Sequence, residues 1–169
     1  MVLRDLEEVI QQKLDRRLFV NPSRVDYYER YRQIIDDYNK EQDRATIEKA
    51  FKDLMDLANQ MNKEEQRYVR EGFTSDEEIS FYDMLFRDDL SKNDIKKLKR
   101  VAAALLDMIK TKISELDYWK DKQETKATVD NLIRDTLWAE LPEGYDEVSI
   151  SVYRQQIYEY VYTRYKEVA

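Results

Sequence analysis

Apolar side chains recur along this chain at intervals of three and four residues, the spacing that gathers them on one side of an α-helix. Leu3, Leu6, Val9, Ile10, Leu14 and Leu18 set the pattern in a first helix that ends near Phe19. Asn21-Pro22 reads as a restart: Asn caps orphan amides, and Pro suits a first helical position because it has no hydrogen bond to lose there. Val25, Tyr28, Ile34, Ile35 and Tyr38 then carry a second helix to about Asn39. After a polar connection over 39–46, Ile47, Phe51, Leu54, Leu57, Ala58, Met61, Tyr68 and Val69 sustain one long amphipathic helix, closed by Gly72. Thr74 and Glu77 have the spacing of a reciprocal capping box, opening a short helix with Ile79, Tyr82, Leu85 and Phe86. Ser91 caps the next, which bears Ile95, Leu98, Val101, Ala102, Leu105, Ile109 and Ile113. Another spans roughly 120–140 with Val129, Leu132, Ile133, Thr136 and Leu137, and Leu141-Pro142-Glu143-Gly144 ends it.

The final segment mixes two periods. Val148, Ile150 and Val152 alternate like a strand, whereas Tyr153, Ile157, Tyr160 and Val161 follow helical spacing. A lone strand would have no partner for its ladder, so the segment is assigned as helix. The expected fold is therefore all-α, about seven amphipathic helices in a single irregular helical bundle. No 20–50-residue repeat, low-complexity tract or Gly/Ser/Pro linker divides the chain. Residues 1–20 read as a leading helix, the tail of a preceding helical domain, and 21–169 as the domain proper.

Composition sharpens this picture. Of 169 residues, 2 are Gly and 2 Pro, too few for the turns that sandwiches, barrels and doubly wound sheets need. Charged residues make up 38%, against a usual ~25%, so the outer helix faces are densely charged. With no His and no Cys, imidazole acid–base chemistry, thiol nucleophiles, disulfides and nearly all transition-metal sites drop out. A formal charge of −7 opposes general binding to a nucleic-acid backbone, which depends on Lys and Arg displacing counterions. The longest apolar run, Val101 to Leu106, is far too short to span a bilayer, and Asp5, Glu7 and Glu8 stand where a signal peptide needs an apolar block. A soluble, unprocessed, cytoplasmic protein is expected.

Candidate chemistry is sparse. Asp117, Glu124 and Lys126 follow the D…E-x-K order of a Mg²⁺-dependent nuclease. That geometry needs E-x-K on a strand, where alternation points both side chains to one side, and here the stretch enters a helix, so the match is a coincidence. Thr74 to Glu78 and Asp88-Asp89 lack the spacing of a calcium loop. Gly72 and Gly144 stand alone, so no phosphate-binding loop exists. Lys92, Lys96, Lys97, Lys99, Arg100, Lys110 and Lys112 make one helix locally basic. Lys92, Lys96, Lys97 and Arg100 are the candidate DNA-phosphate contacts, although on an acidic protein an exposed solvated face is the favoured explanation. Tyrosine is the most informative residue, at 13 copies. On the last helix Ile150, Tyr153, Ile157, Tyr160 and Val161 form one side, while Tyr158, Tyr162 and Tyr165 form a second stripe about 120° away at the helical advance of ~100° per residue. One stripe docks the helix on its own domain; the second is a candidate partner surface, since Tyr is enriched at interface centres. Trp119 and Trp138, near helix ends, are expected in the core.

Asn21-Pro22-Ser23-Arg24, followed by Asp26-Tyr27 and Glu29-Arg30-Tyr31, resembles the opening of the C-terminal helical domain of the motor/restriction (HsdR) subunit of type I restriction–modification enzymes, of an IC-like subclass. The resemblance continues through Phe51-Lys52-Asp53-Leu54, Glu64-Glu65-Gln66-Arg67-Tyr68, Thr74 to Leu85 with Phe81-Tyr82-Asp83, and Asp117-Tyr118-Trp119, covering most of 21–169. It implies a bacterial, cytoplasmic subunit that joins a Mg²⁺-dependent endonuclease domain, two ATPase lobes and a helical domain, with this region at its end. None of the parent's nuclease or ATPase motifs occurs here, so this fragment is expected to be no enzyme and to hold no metal or cofactor, while the parent, an ATP-dependent deoxyribonuclease, uses ATP and Mg²⁺. The resemblance further implies an assembly role: docking the motor subunit on the methyltransferase core, with the rest of the motor subunit and the methylation and specificity subunits as partners. The alternative is a DNA-contacting module that guides duplex relative to the motor lobes.

Overall fold

The computed structural model describes residues 2–165, and their helices follow the apolar spacing closely. Among the described residues there are eight α-helices and no β-strand: α1 (Val2–Val20), α2 (Val25–Lys40), α3 (Arg44–Glu64), α4 (Arg67–Arg70), α5 (Asp76–Leu85), α6 (Lys92–Glu115), α7 (Gln123–Glu140) and α8 (Glu147–Arg164). A 3-10 turn, Pro22–Arg24, leads into α2, and the Asn21 side chain accepts from the Ser23 amide as its cap. The segment of mixed period is helical throughout, opened by the Asp146 carboxylate accepting from the Ser149 amide. Contacts divide the chain into two compact units, the division falling after Ser80, within α5.

In the first unit α3 packs against both α1 and α2. Ile10 and Leu14 of α1, Tyr27 of α2, and Leu54, Leu57, Ala58 and Met61 of α3 form its core. Leu3 and Leu6 pack against that core. The leading helix of the sequence reading, α1, packs with α2 and α3 in this unit. The polar connection is shorter than expected because Asp43 caps α3 through the Thr46 amide at 2.8 Å.

Two local expectations need correction. The long third helix is interrupted: the Glu65 amide donates to Met61 and the Gln66 amide to Lys63, a tightened turn before α4. Glu64 sits at the stop. Buried there, its carboxylate accepts from Arg67 at 3.0 Å and from the Tyr27 hydroxyl at 3.4 Å, with the Arg24 guanidinium 3.9 Å away. A buried carboxylate must keep such partners. The capping box is also displaced by one residue, since the Ser75 hydroxyl, not Thr74, accepts from the Glu78 amide. The Glu78 carboxylate reaches back to the amide and hydroxyl of Thr74. Gly72 ends α4 as expected, at φ +85°, with Phe73 donating to Tyr68 and Gly72 to Val69 in a Schellman arrangement. Arg17, almost fully buried, forks onto the Asp76 carboxylate at 3.0 and 3.4 Å, tying the end of α1 to the start of α5.

The second unit is built on α7, which packs against α6 and α8. Leu98, Val101, Leu105 and Ile109 of α6, Val129, Ile133 and Leu137 of α7, and Ile157 and Val161 of α8 are buried. Phe81 meets Tyr160 edge-on at 5.5 Å. The Tyr145 hydroxyl donates to the Leu85 carbonyl at the end of α5, and burial pushes its pKa well above the ordinary phenol value.

Candidate functional site

The tyrosine stripe of α8 depends on the loop that joins α6 to α7. Tyr118 adopts φ +48°, uncommon for a residue with a side chain. The turn is closed by the Asp121 amide donating to Tyr118 at 2.9 Å, and the Thr125 hydroxyl donates to the Trp119 carbonyl at 2.6 Å. So held, Trp119 is completely buried, as expected of it. Tyr158 and Tyr162 meet its ring edge-on, with centroids 6.2 and 5.8 Å away, and lie 6.1 Å from each other. The Lys120 ammonium sits over Tyr162 at 5.0 Å and 5.8 Å from the Trp119 ring. Burial raises the Tyr158 pKa from its ordinary value.

Tyr165 departs from this group. It stands at the end of α8, edge-on to Tyr160 at 6.5 Å, with the Lys110 ammonium 5.8 Å over its ring. The three candidates therefore form two pieces: Tyr158 and Tyr162 on a Trp119 base, and Tyr165 beyond them. Tyr162 keeps 41% exposure while Tyr158 and Tyr165 are half-buried. Trp138 corrects its own expectation, being 64% exposed. It lies about 140° around α7 from Ile133 at the helical advance per residue, away from the side that Val129, Ile133 and Leu137 bury.

The basic candidates share α6. Lys92, Lys96 and Arg100 follow one another at four-residue intervals and are exposed, with Lys97 half-buried beside them. None of these four forms an ion pair among the described residues. Other cations of the helix are engaged: Lys99 lies over the Tyr82 ring at 5.7 Å, and Lys112 pairs with Glu115 at 3.3 Å. Lys97 and Arg100 are brought together on the rim of a groove between α6 and α7.

Glu124 and Lys126 fall in the first turn of α7. Two positions on a helix are about 200° apart, so these side chains point away from each other. Among the described residues no group of three acidic, His or Cys side chains is placed to hold a metal ion. Sequence reasoning missed the dependence of the tyrosines on Trp119; the angular position of Tyr158 and Tyr162 was readable, but the fold of the 116–122 loop was not.

Among the described residues no helix is long and apolar enough to cross a membrane. No curated protein and no solved structure matches the chain. The family described as type I restriction enzyme HindI endonuclease subunit-like, C-terminal, matches residues 1–165, the leading helix included, and the chain belongs to that family of C-terminal domains.

Proposed function

We propose that this domain is noncatalytic and docks its endonuclease subunit on the methyltransferase core of a type I restriction–modification enzyme. The observation that carries this reading is the aromatic ledge of α8, where buried Trp119 backs two tyrosines and leaves Tyr162 partly exposed. Rigid aromatic side chains lose little conformational freedom on binding and dominate interface energetics. A pre-folded helical scaffold presents them without reorganisation. ATP and Mg²⁺ belong in this reading to the motor and nuclease parts of the parent subunit.

Co-migration of the purified chain with the methyltransferase core in size-exclusion chromatography tests the assignment. Replacing Tyr158, Tyr162 and Tyr165 together by Ala should weaken capture with far-UV helicity preserved. Because Tyr162 is the most exposed of the three, Tyr162→Ala alone is the cleaner variant. Capture unchanged by both variants removes the ledge from the interface, and absence of co-migration removes the docking role.

A second reading, contact with duplex DNA, is favoured by the exposed row Lys92, Lys96 and Arg100, which has no ion-pair partner among the described residues. Duplex affinity that falls steeply with added salt would support it. No binding by the chain at low salt would end it.

A further inference from the structure

The groove between α6 and α7 has a volume of about 420 Å³. Its floor is apolar: Val101, Ala104 and Met108 stand on one line of α6 at helical spacing. From Lys97 to Met108 that line runs for about 16 Å at the helical rise per residue, three turns of helix. Lys97 and Arg100 border one end, and neither is neutralised by an ion pair among the described residues. Ala104, at mid-groove, is exposed and small enough for another backbone to approach closely.

We propose that this groove receives an amphipathic helix with acidic residues at one end, supplied by the protein on which the domain docks. The inference rests on the assembly reading and adds a second surface to it. An amphipathic helix laid in a groove contributes apolar anchors at spacings of three and four residues, which the α6 line matches. Its carboxylates meet Lys97 and Arg100, where charge complementarity fixes direction and register. Duplex DNA fits the same groove poorly. A phosphate backbone offers nothing to Val101, Ala104 and Met108, the apolar floor of the groove.

Two variants of the chain test this against the methyltransferase core. Ala104→Trp fills the groove from an exposed position, and Lys97→Glu with Arg100→Glu reverses its charge, neither touching the buried side of α6. Each should weaken capture at least tenfold with helicity unchanged. In the wild-type complex, amide hydrogen exchange should slow across 97–108 and within one acidic helical segment of the core. Wild-type co-migration with both variants binding normally would overturn the groove and leave the assembly reading standing. Absence of wild-type co-migration would overturn both. Loss on charge reversal but not with Ala104→Trp would reduce the basic end to rim electrostatics and overturn the helix. Loss of duplex binding with capture intact would assign the groove to nucleic acid and likewise overturn it.

Discussion

Trp119→Ala is the sharpest perturbation of the second unit. The side chain is completely buried, and both tyrosines of the ledge meet its ring. Truncating a buried Trp leaves a cavity and costs ~3–5 kcal/mol, the upper half being expected here because two edge-on aromatic contacts at ~0.5–1.5 kcal/mol each go with it. Trp119→Phe should be far milder. The smaller ring retains part of the contact, and the indole N–H has no acceptor among the described residues. Removing an unsatisfied buried donor relieves ~1 kcal/mol or more, so a net loss of about 1–2 kcal/mol follows. Urea denaturation followed by circular dichroism measures both, and in thermal unfolding the Ala variant should melt roughly 8 °C or more below wild type. Fluorescence supplies an internal check, since the chain has 2 Trp. Without Trp119 all indole emission comes from Trp138, 64% exposed, and should shift to the red. Tyr158 and Tyr162 lose their base at the same time, so capture by the methyltransferase core should fall. An Ala variant with the wild-type midpoint, a Phe variant as damaged as the Ala one, or emission that does not shift would refute the reasoning.

Glu64→Ala leaves Arg24 and Arg67 without their shared carboxylate. Because both guanidiniums are partly exposed, the loss should be about 2–3 kcal/mol, below the ~3–5 of a fully buried pair, read from the urea midpoint. Tyr145 should still be protonated when exposed tyrosines have ionised in an absorbance titration at 295 nm, as its folded pKa is raised chiefly by burial and then by Tyr153. The sign follows directly: its stabilisation is complete below the unfolded phenol value near ~10 and is lost as pH rises above it, and Tyr145→Phe should flatten that alkaline loss. Trp138→Ala should change stability by no more than ~0.5 kcal/mol, as for other exposed positions, and a clear loss of stability would show that α7 is oriented otherwise.

Helix existence and apolar faces were legible because they rest on local periodicity, and even the mixed segment 147–164 resolved correctly once a partnerless strand was judged untenable. What escaped depends on tertiary partners or on degenerate local signals. No Gly or Pro marks the break after Glu64, where a buried carboxylate accepts from Arg67 and Tyr27. Thr74/Glu77 and Ser75/Glu78 satisfy the same capping rule, and only the hydrogen bonds distinguish them. Trp138 was misplaced because residue type outweighed angle: its position next to Leu137, off the Val129–Ile133–Leu137 line, already put it outside. For α8 the angle was the better guide. Its apolar residues surround the axis, with Ile157 and Val161 buried on one side and Val148 and Val152 exposed at 73% and 50% on another. Exposed apolar positions beyond the side that buries Ile157 and Val161 are available to a further partner. The surplus apolar surface therefore agrees with docking as the work of this domain, and the tyrosine ledge is the portion of it that a buried tryptophan holds ready.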